Sequence, residues 1–183
     1  MITLPDTPLP KEVIELCKKT FETHIGMEGI TGKGFQPEYR KTECRYIQRA
    51  KEGEQPRAIQ LVEEWINEQG YPYTPEILQI ARYHKGNFYK WHTDSDNVNK
   101  GSRKLSMSCL LNHPSEFEGG EFEVRFKDQV SKDGTIVMAG QKTEIKLKQY
   151  QAVLFPPDLM HRVLPVWEGV RDSLVIWFME KNV

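Results

Sequence analysis

From Ile77 to the end of the chain the hydrophobic pattern keeps a period of two. Leu78 and Ile80 alternate with Gln79 and Ala81, and Leu105, Met107, Cys109 and Leu111 alternate with Ser106 and Ser108. Phe122, Val124 and Phe126 alternate with Glu121, Glu123 and Arg125, directly after the turn signal Glu118-Gly119-Gly120. Ile145 and Leu147 alternate with Glu144, Lys146 and Lys148; Leu174, Ile176 and Phe178 alternate with Ser173, Val175 and Trp177. Successive side chains of a strand point to opposite faces, so each run presents one apolar face to a core. Short strands separated by turn residues, with no helical pattern between them, form an antiparallel sandwich or barrel.

The first 70 residues read differently. Pro10 opens a helix through about Thr23, with Val13, Ile14, Cys17 and Phe21 at helical spacing. Gly26 to Pro37 is glycine-rich loop, and Cys44-Arg45-Tyr46-Ile47 is a first strand. Pro56 opens a second helix that places Ile59, Val62, Trp65 and Ile66 on one face, and Gly70 with Pro72 ends it. The expected fold is mainly β with N-terminal helices: a double-stranded β-helix (jelly roll) with a helical buttress packed on one sheet from outside. At 183 residues the expectation is one domain over 1–183. Its helical support covers about residues 10–70 and its jelly-roll core about residues 77–180.

A hydrophobic fraction of 38% and a charged fraction of 28% are those of a globular protein. A formal net charge of -1 supplies no global positive field, so nucleic acid is not an expected partner. The basic pairs Arg40-Lys41 and Arg103-Lys104 read as solvated surface. Cys17, Cys44 and Cys109 are odd in number and widely spaced, with no C-x-x-C pair, which suits a reducing compartment. No segment approaches a membrane span, and Asp6 with three prolines interrupts the N-terminal apolar stretch. The expected location is the cytoplasm; the sequence sets no oligomeric state.

His92-Thr93-Asp94 is the first chemical constellation. In an extended stretch residues two apart share a side, so imidazole and carboxylate can converge on one point. One further ligand would complete a two-histidine, one-carboxylate facial set, which leaves three adjacent positions of an octahedral iron open. Alone, H-x-D is common and carries little. The second constellation follows an apolar strand: Phe155 through Val163 puts His161 at the mouth of the next strand, and Arg171 and Ser173 come after it. Arg171, Ser173, Val175 and Trp177 share one parity. A cation on an inward face needs an anionic partner, and no carboxylate on the neighbouring strands is an obvious mate. A dicarboxylate ligand would serve, gripped at two points by the guanidinium with the Ser173 hydroxyl beside it.

The order His-x-Asp, His, then Arg-x-Ser resembles the iron(II)/2-oxoglutarate-dependent dioxygenase superfamily. Within it, Ile80 through Asp94, the Glu118 to Phe122 turn, and Leu154 through Ser173 are similar to the prolyl 4-hydroxylase branch. The resemblance runs from about Ile77 to Met179 and assigns nothing to residues 24–56. It implies His92, Asp94 and His161 as iron ligands and Arg171 as the residue binding the distal carboxylate of 2-oxoglutarate. It implies Ser173 as the usual neighbour of that arginine and Tyr83 as the tyrosine whose hydroxyl assists there. Arginine at 171, where animal-type prolyl 4-hydroxylases carry lysine, is nearer to the bacterial PKHD-type hydroxylases.

The implied activity is hydroxylation of an unactivated C–H bond with Fe(II), 2-oxoglutarate and O2, with ascorbate as a candidate reductant. A prolyl residue in a peptide or protein and a free small molecule remain alternative substrates. A non-catalytic cupin-like metal-binding module is the rival from another class, and it gives no reason for Arg171 and Ser173. Asp94 argues against a halogenase, which needs that carboxylate replaced. His24, His84 and His113 complete no ligand pair and read as structural or exposed; Cys109 reads as a packed thiol. Trp91 and Tyr89 either line a substrate mouth or pack beneath the sheet. Ser95 to Ser102, polar and glycine-containing, reads as a mobile loop beside the metal that takes part in substrate selection with the Gly26–Pro37 loop.

Overall fold

The computed structural model of the chain describes residues 1–95, 102–127, 129–130, 136–138 and 140–181. Two helices precede the main body of strands: α1 spans Lys11–Thr23 and α2 spans Arg57–Glu68. Each is capped by a proline whose carbonyl accepts the first turn's N–H groups, Val13 to Pro10 at 2.9 Å and Ile59 to Pro56 at 2.8 Å. Proline has no N–H to lose at this position, and its fixed φ suits helix entry. Gly70, at φ 85°, ends α2, with Tyr71 N–H reaching back to the Ile66 carbonyl at 3.2 Å.

Eight strands carry the fold: β1 (Glu43–Gln48), β2 (Tyr73–Tyr83), β3 (Phe88–His92), β4 (Arg103–Leu110), β5 (Phe122–Arg125), β6 (Ala152–Phe155), β7 (Met160–Val163) and β8 (Arg171–Glu180). The larger sheet runs Met27–Glu28, β1, β2, β8, β4, β6, and the smaller runs Lys142–Glu144, β5, β7, β3, Arg40–Lys41. Every strand pair is antiparallel. This is the jelly roll that the alternation indicated.

Two cores follow from strand parity. One face of the larger sheet, with Leu78, Ile80, Leu105, Met107, Cys109, Leu174, Ile176 and Phe178, meets Val13, Ile14, Cys17, Ile59, Val62, Trp65 and Ile66 of the helices. The helices are therefore the expected outside buttress. The opposite face meets the smaller sheet through Ala81, Tyr83, Leu110, Phe122, Val124, Phe155 and Val163. On β4 the alternation is apolar toward the helices and serine toward the other sheet, with Ser106 and Ser108 both buried.

Two expectations are corrected. The run around Ile145 and Leu147 is strand only over Lys142–Glu144. Beyond it the chain leaves the sheet after Ile145 N–H meets the Phe122 carbonyl at 2.8 Å, and Leu147 tucks into the core as a loop residue. Arg40 is not solvated surface: it is 4% exposed. Its guanidinium donates to the Ile30 carbonyl, Thr42 Oγ1 and Cys44 Sγ and lies over the Tyr89 ring, while Lys41 stays in solvent. Arg103 is also half-buried, ion-paired with Glu76 at 2.7 Å. No helix among the described residues is long and apolar enough to cross a membrane.

Candidate metal and co-substrate site

His92 ends β3 and His161 lies on β7, and the two are direct partners in the antiparallel register. The pairing shifts between His161 and Val163, which face His92 and Tyr89, so β3 carries one extra residue there. Such a bulge re-aims side chains. Here it puts Tyr89 and His92, three residues apart, on one face: their rings stack with centroids 3.4 Å apart and planes 14° from parallel. Phe155 packs edge-on against the His161 ring at 4.9 Å.

Asp94 lies just past β3, held by its N–H to the Pro157 carbonyl at 2.8 Å. Its Oδ1 is 3.9 Å from His92 Nε2 and its Oδ2 is 3.6 Å from His161 Nε2. One ligand atom from each of the three residues lies within 4.8 Å of the others. These separations are too long for hydrogen bonds and suit atoms that share a central ion.

The protonation pattern agrees. His92 Nδ1 meets the Lys90 carbonyl at 2.8 Å and His161 Nδ1 meets the Leu159 carbonyl at 2.9 Å. A carbonyl only accepts, so each Nδ1 carries the proton and each Nε2 keeps its lone pair toward Asp94. Burial, reinforced by the neighbouring His161, pushes the His92 pKa down to about 3. Burial alone would raise the Asp94 carboxyl, but the facing His161 and His92, with Ser106 and Trp177, hold it below its ordinary range. Asp94 Oδ2 is buried with no hydrogen-bond partner. A dry carboxylate facing two imidazole lone pairs is costly alone and is satisfied by a cation, so the donor set fits a divalent metal.

Arg171 begins β8 opposite Tyr83 on β2, with its guanidinium 5.6 Å from the Tyr83 ring centroid. It is 3% exposed, and its Nη1 has no hydrogen-bond partner. Burial lowers its pKa and pushes that of Tyr83 up. The neighbouring Asp172 does not neutralise it; that carboxylate faces the other way and binds Arg82 at two points, both 2.8 Å. Ser173 is buried on the same face of β8 as Arg171. The expected parity therefore holds, and the buried cation has an orphaned N–H that an anion would complete.

The model of the 2OG-Fe(II) oxygenase superfamily matches residues 78–179, more than half of the chain. This chain belongs to that superfamily. A PKHD-type hydroxylase of Synechococcus sp. (strain CC9902) is 34% identical over 100 residues, 55% of this chain and 40% of that protein. Another from Picosynechococcus sp. (strain ATCC 27264 / PCC 7002 / PR-6) is 31% identical over 58% of this chain and 43% of its own length. The chain thus spans less than half the length of these curated relatives. A Pseudomonas putida prolyl-4-hydroxylase superposes with a TM-score of 0.66 at 17% identity, covering 99% of this chain and 93% of that one. A Trichoplax adhaerens prolyl hydroxylase, solved with a hypoxia inducible factor peptide, gives 0.69 at 14% identity over 98% and 83%.

The remaining residues of this superfamily member fall into place around the site. Tyr89 supports His92 from beneath, whereas Trp91 sits under the Arg162 guanidinium at 4.5 Å, on the outer face of the smaller sheet. His84 meets Glu43 at 2.8 Å, His113 caps the turn Pro114–Glu116 and His24 caps α1, so none serves as a ligand. Cys109 is fully buried, and burial pushes its thiol far above the ordinary value. Of the expected loop Ser95 to Ser102, residues 96–101 lie outside the described residues. Sequence reasoning missed Ser106, Arg103 and Glu76 near Asp94, because the strand register that sets Ser106 opposite Trp177 is not legible in the sequence.

Proposed function

We propose that the chain is an iron(II)- and 2-oxoglutarate-dependent dioxygenase that hydroxylates an unactivated C–H bond, with His92, Asp94 and His161 as the iron ligands. The observation that carries this is the joint presence, between the same two sheets, of three converging donor atoms and an unneutralised buried arginine. A metal-binding module without catalysis would use the first and have no use for the second. Arg171 would hold the far carboxylate of the keto acid, with Tyr83 and Ser173 lining the same end.

Iron(II) and 2-oxoglutarate, when bound, would supply the oxidative chemistry: the keto acid is split to succinate and CO2, one oxygen atom of O2 enters the succinate and the other reaches the substrate carbon. The chain's own residues do the rest. The fixed Nδ1–H groups keep both Nε2 lone pairs aimed at one point, and Asp94 adds the negative charge. Phe122 and Phe155 keep water from the His161 side. Arg171 and Tyr83 orient the co-substrate so that its keto end faces the ligands.

The preferred substrate is a prolyl residue of a peptide, on the strength of PKHD-type and prolyl hydroxylase relatives, one of them solved with a peptide. A small-molecule substrate is the second reading, since a carbocyclase from nogalamycin biosynthesis shares the fold. The test is a panel of proline-containing peptides and small metabolites, scored by substrate-stimulated succinate release and by mass spectrometry. Oxygen added at proline supports the first reading; oxygen added only to a metabolite replaces it with the second. Without air, iron(II) plus 2-oxoglutarate should give the visible band of a keto-acid chelate.

A further inference from the structure

The inner face of the larger sheet carries a polar pair that the roles above do not use. Ser106 on β4 and Trp177 on β8 are register partners, so both side chains leave the sheet toward the metal ligands. The Ser106 hydroxyl and Trp177 Nε1 are sealed from solvent, and neither closes a hydrogen bond; Asp94 Oδ2 shares that condition. Both polar groups lie beside the Asp94 carboxylate.

Trp177 is itself held in place. The Arg103 guanidinium lies 3.9 Å from its ring centroid and is clamped by Glu76 at 2.7 and 3.2 Å. The same guanidinium donates from Nη1 to the Asp94 main-chain carbonyl at 3.1 Å. One group therefore fixes both the backbone of Asp94 and the ring that faces its side chain. A carboxylate has two oxygens, and a metal that takes one leaves the other needing donors in a space without water.

We propose that Trp177 and Ser106 are positioning residues of the metal centre, donating to the Asp94 oxygen that a bound metal leaves free and so setting the carboxylate's orientation. This rests on the iron-site reading above. The carboxylate thus has two kinds of neighbour: the Nε2 atoms of His92, 3.9 Å from Oδ1, and of His161, 3.6 Å from Oδ2, and the two buried donors of the larger sheet. Neither residue binds the metal, and removing either donor would let the carboxylate swing.

The experiment measures metal affinity without turnover: Mn(II) is titrated into the full chain and the free ion is read by electron paramagnetic resonance. Trp177→Phe keeps a ring beneath Arg103 and removes the N–H together with part of the indole; Ser106→Ala removes only the hydroxyl. Each should weaken Mn(II) binding by about 10- to 100-fold, and for Ser106→Ala the metal-free melting temperature should be unchanged. If Trp177→Phe does not fold, Ser106→Ala carries the test by itself. Wild-type affinity in the variants overturns the inference and leaves the metal site standing. Affinity lost only in step with melting temperature also overturns it, because packing then explains the loss. A wild-type chain that binds no Mn(II) overturns the inference and the iron-site reading together.

Discussion

His161 lies directly across from His92 in the antiparallel pair of β7 with β3, and their ring centroids are 4.1 Å apart. Each ring donates from Nδ1 to the carbonyl two residues before it, so the two imidazoles are set by the same local geometry. Two lone-pair nitrogens aimed at one carboxylate gain little from each other. Their common orientation makes sense for a shared cation.

Asp94→Ala should abolish the metal-dependent rise in melting temperature and all turnover. The metal-free melting temperature should stay level or rise slightly, because a buried carboxylate oxygen without a hydrogen-bond partner is removed. Differential scanning fluorimetry with and without iron(II) under nitrogen checks this. Undiminished stabilisation by metal in the variant would remove Asp94 from the ligand set.

Arg171→Gln should raise the 2-oxoglutarate concentration needed for turnover by about 30- to 1000-fold, as expected for losing a charge-assisted two-point contact worth roughly 2–4 kcal/mol. Iron binding should be nearly unchanged, and Arg171→Lys should be milder because it keeps the charge. Unaltered 2-oxoglutarate dependence in the glutamine variant would refute the co-substrate role while sparing the metal site.

Parity made much of this legible in the sequence. Arg171 and Ser173 share a face because they are two apart in a strand, and their burial follows from both faces of β8 being covered. The serines of β4 are more instructive. Polar residues alternating with apolar ones ordinarily mark a solvent face, but Ser106 and Ser108 look into the space between the sheets. Sequence periodicity cannot distinguish water from a lined cavity. Nor could it show the extra residue in β3 that stacks Tyr89 under His92, because a bulge depends on the partner strand. Arg40 was misread because its partners, the Ile30 carbonyl and the Tyr89 ring, are brought to it only by folding.

Glu63 on α2 offers a pH prediction away from the site. Its Oε2 accepts from Thr74 at 2.7 Å and Arg49 at 3.3 Å, and its Oε1 from Lys181 at 3.0 Å. Burial acts to raise its pKa, but these donors outweigh it and hold the carboxyl below the ordinary range. A depressed folded pKa adds stability above the unfolded value, about 4.3, and that contribution is lost as pH falls through the folded value. Glu63→Gln should therefore be less stable than wild type at pH 7, by about 1 kcal/mol or less for so solvated a group. The gap should close as pH drops below about 4. Urea unfolding of both chains at a series of pH values checks this, and a gap constant across the series would contradict it.

Gly120 links backbone conformation to Arg171. Its φ is +67°, and a Cβ there would lie 2.8 Å from Arg171 Cδ and 3.0 Å from Val166 Cγ2. Gly70 provides the control, since its φ is +85° and a Cβ would meet nothing within 4 Å. Both alanine variants should carry the cost of a left-handed backbone, about 1–3 kcal/mol. Gly120→Ala should in addition displace the Arg171 stem, because the other contact, Val166, is itself buried and cannot give way. The expected result is a several-fold rise in the 2-oxoglutarate requirement for Gly120→Ala and none for Gly70→Ala, with Mn(II) affinity the same in both. If the two variants lose stability equally and neither changes the 2-oxoglutarate requirement, Gly120 serves only its turn.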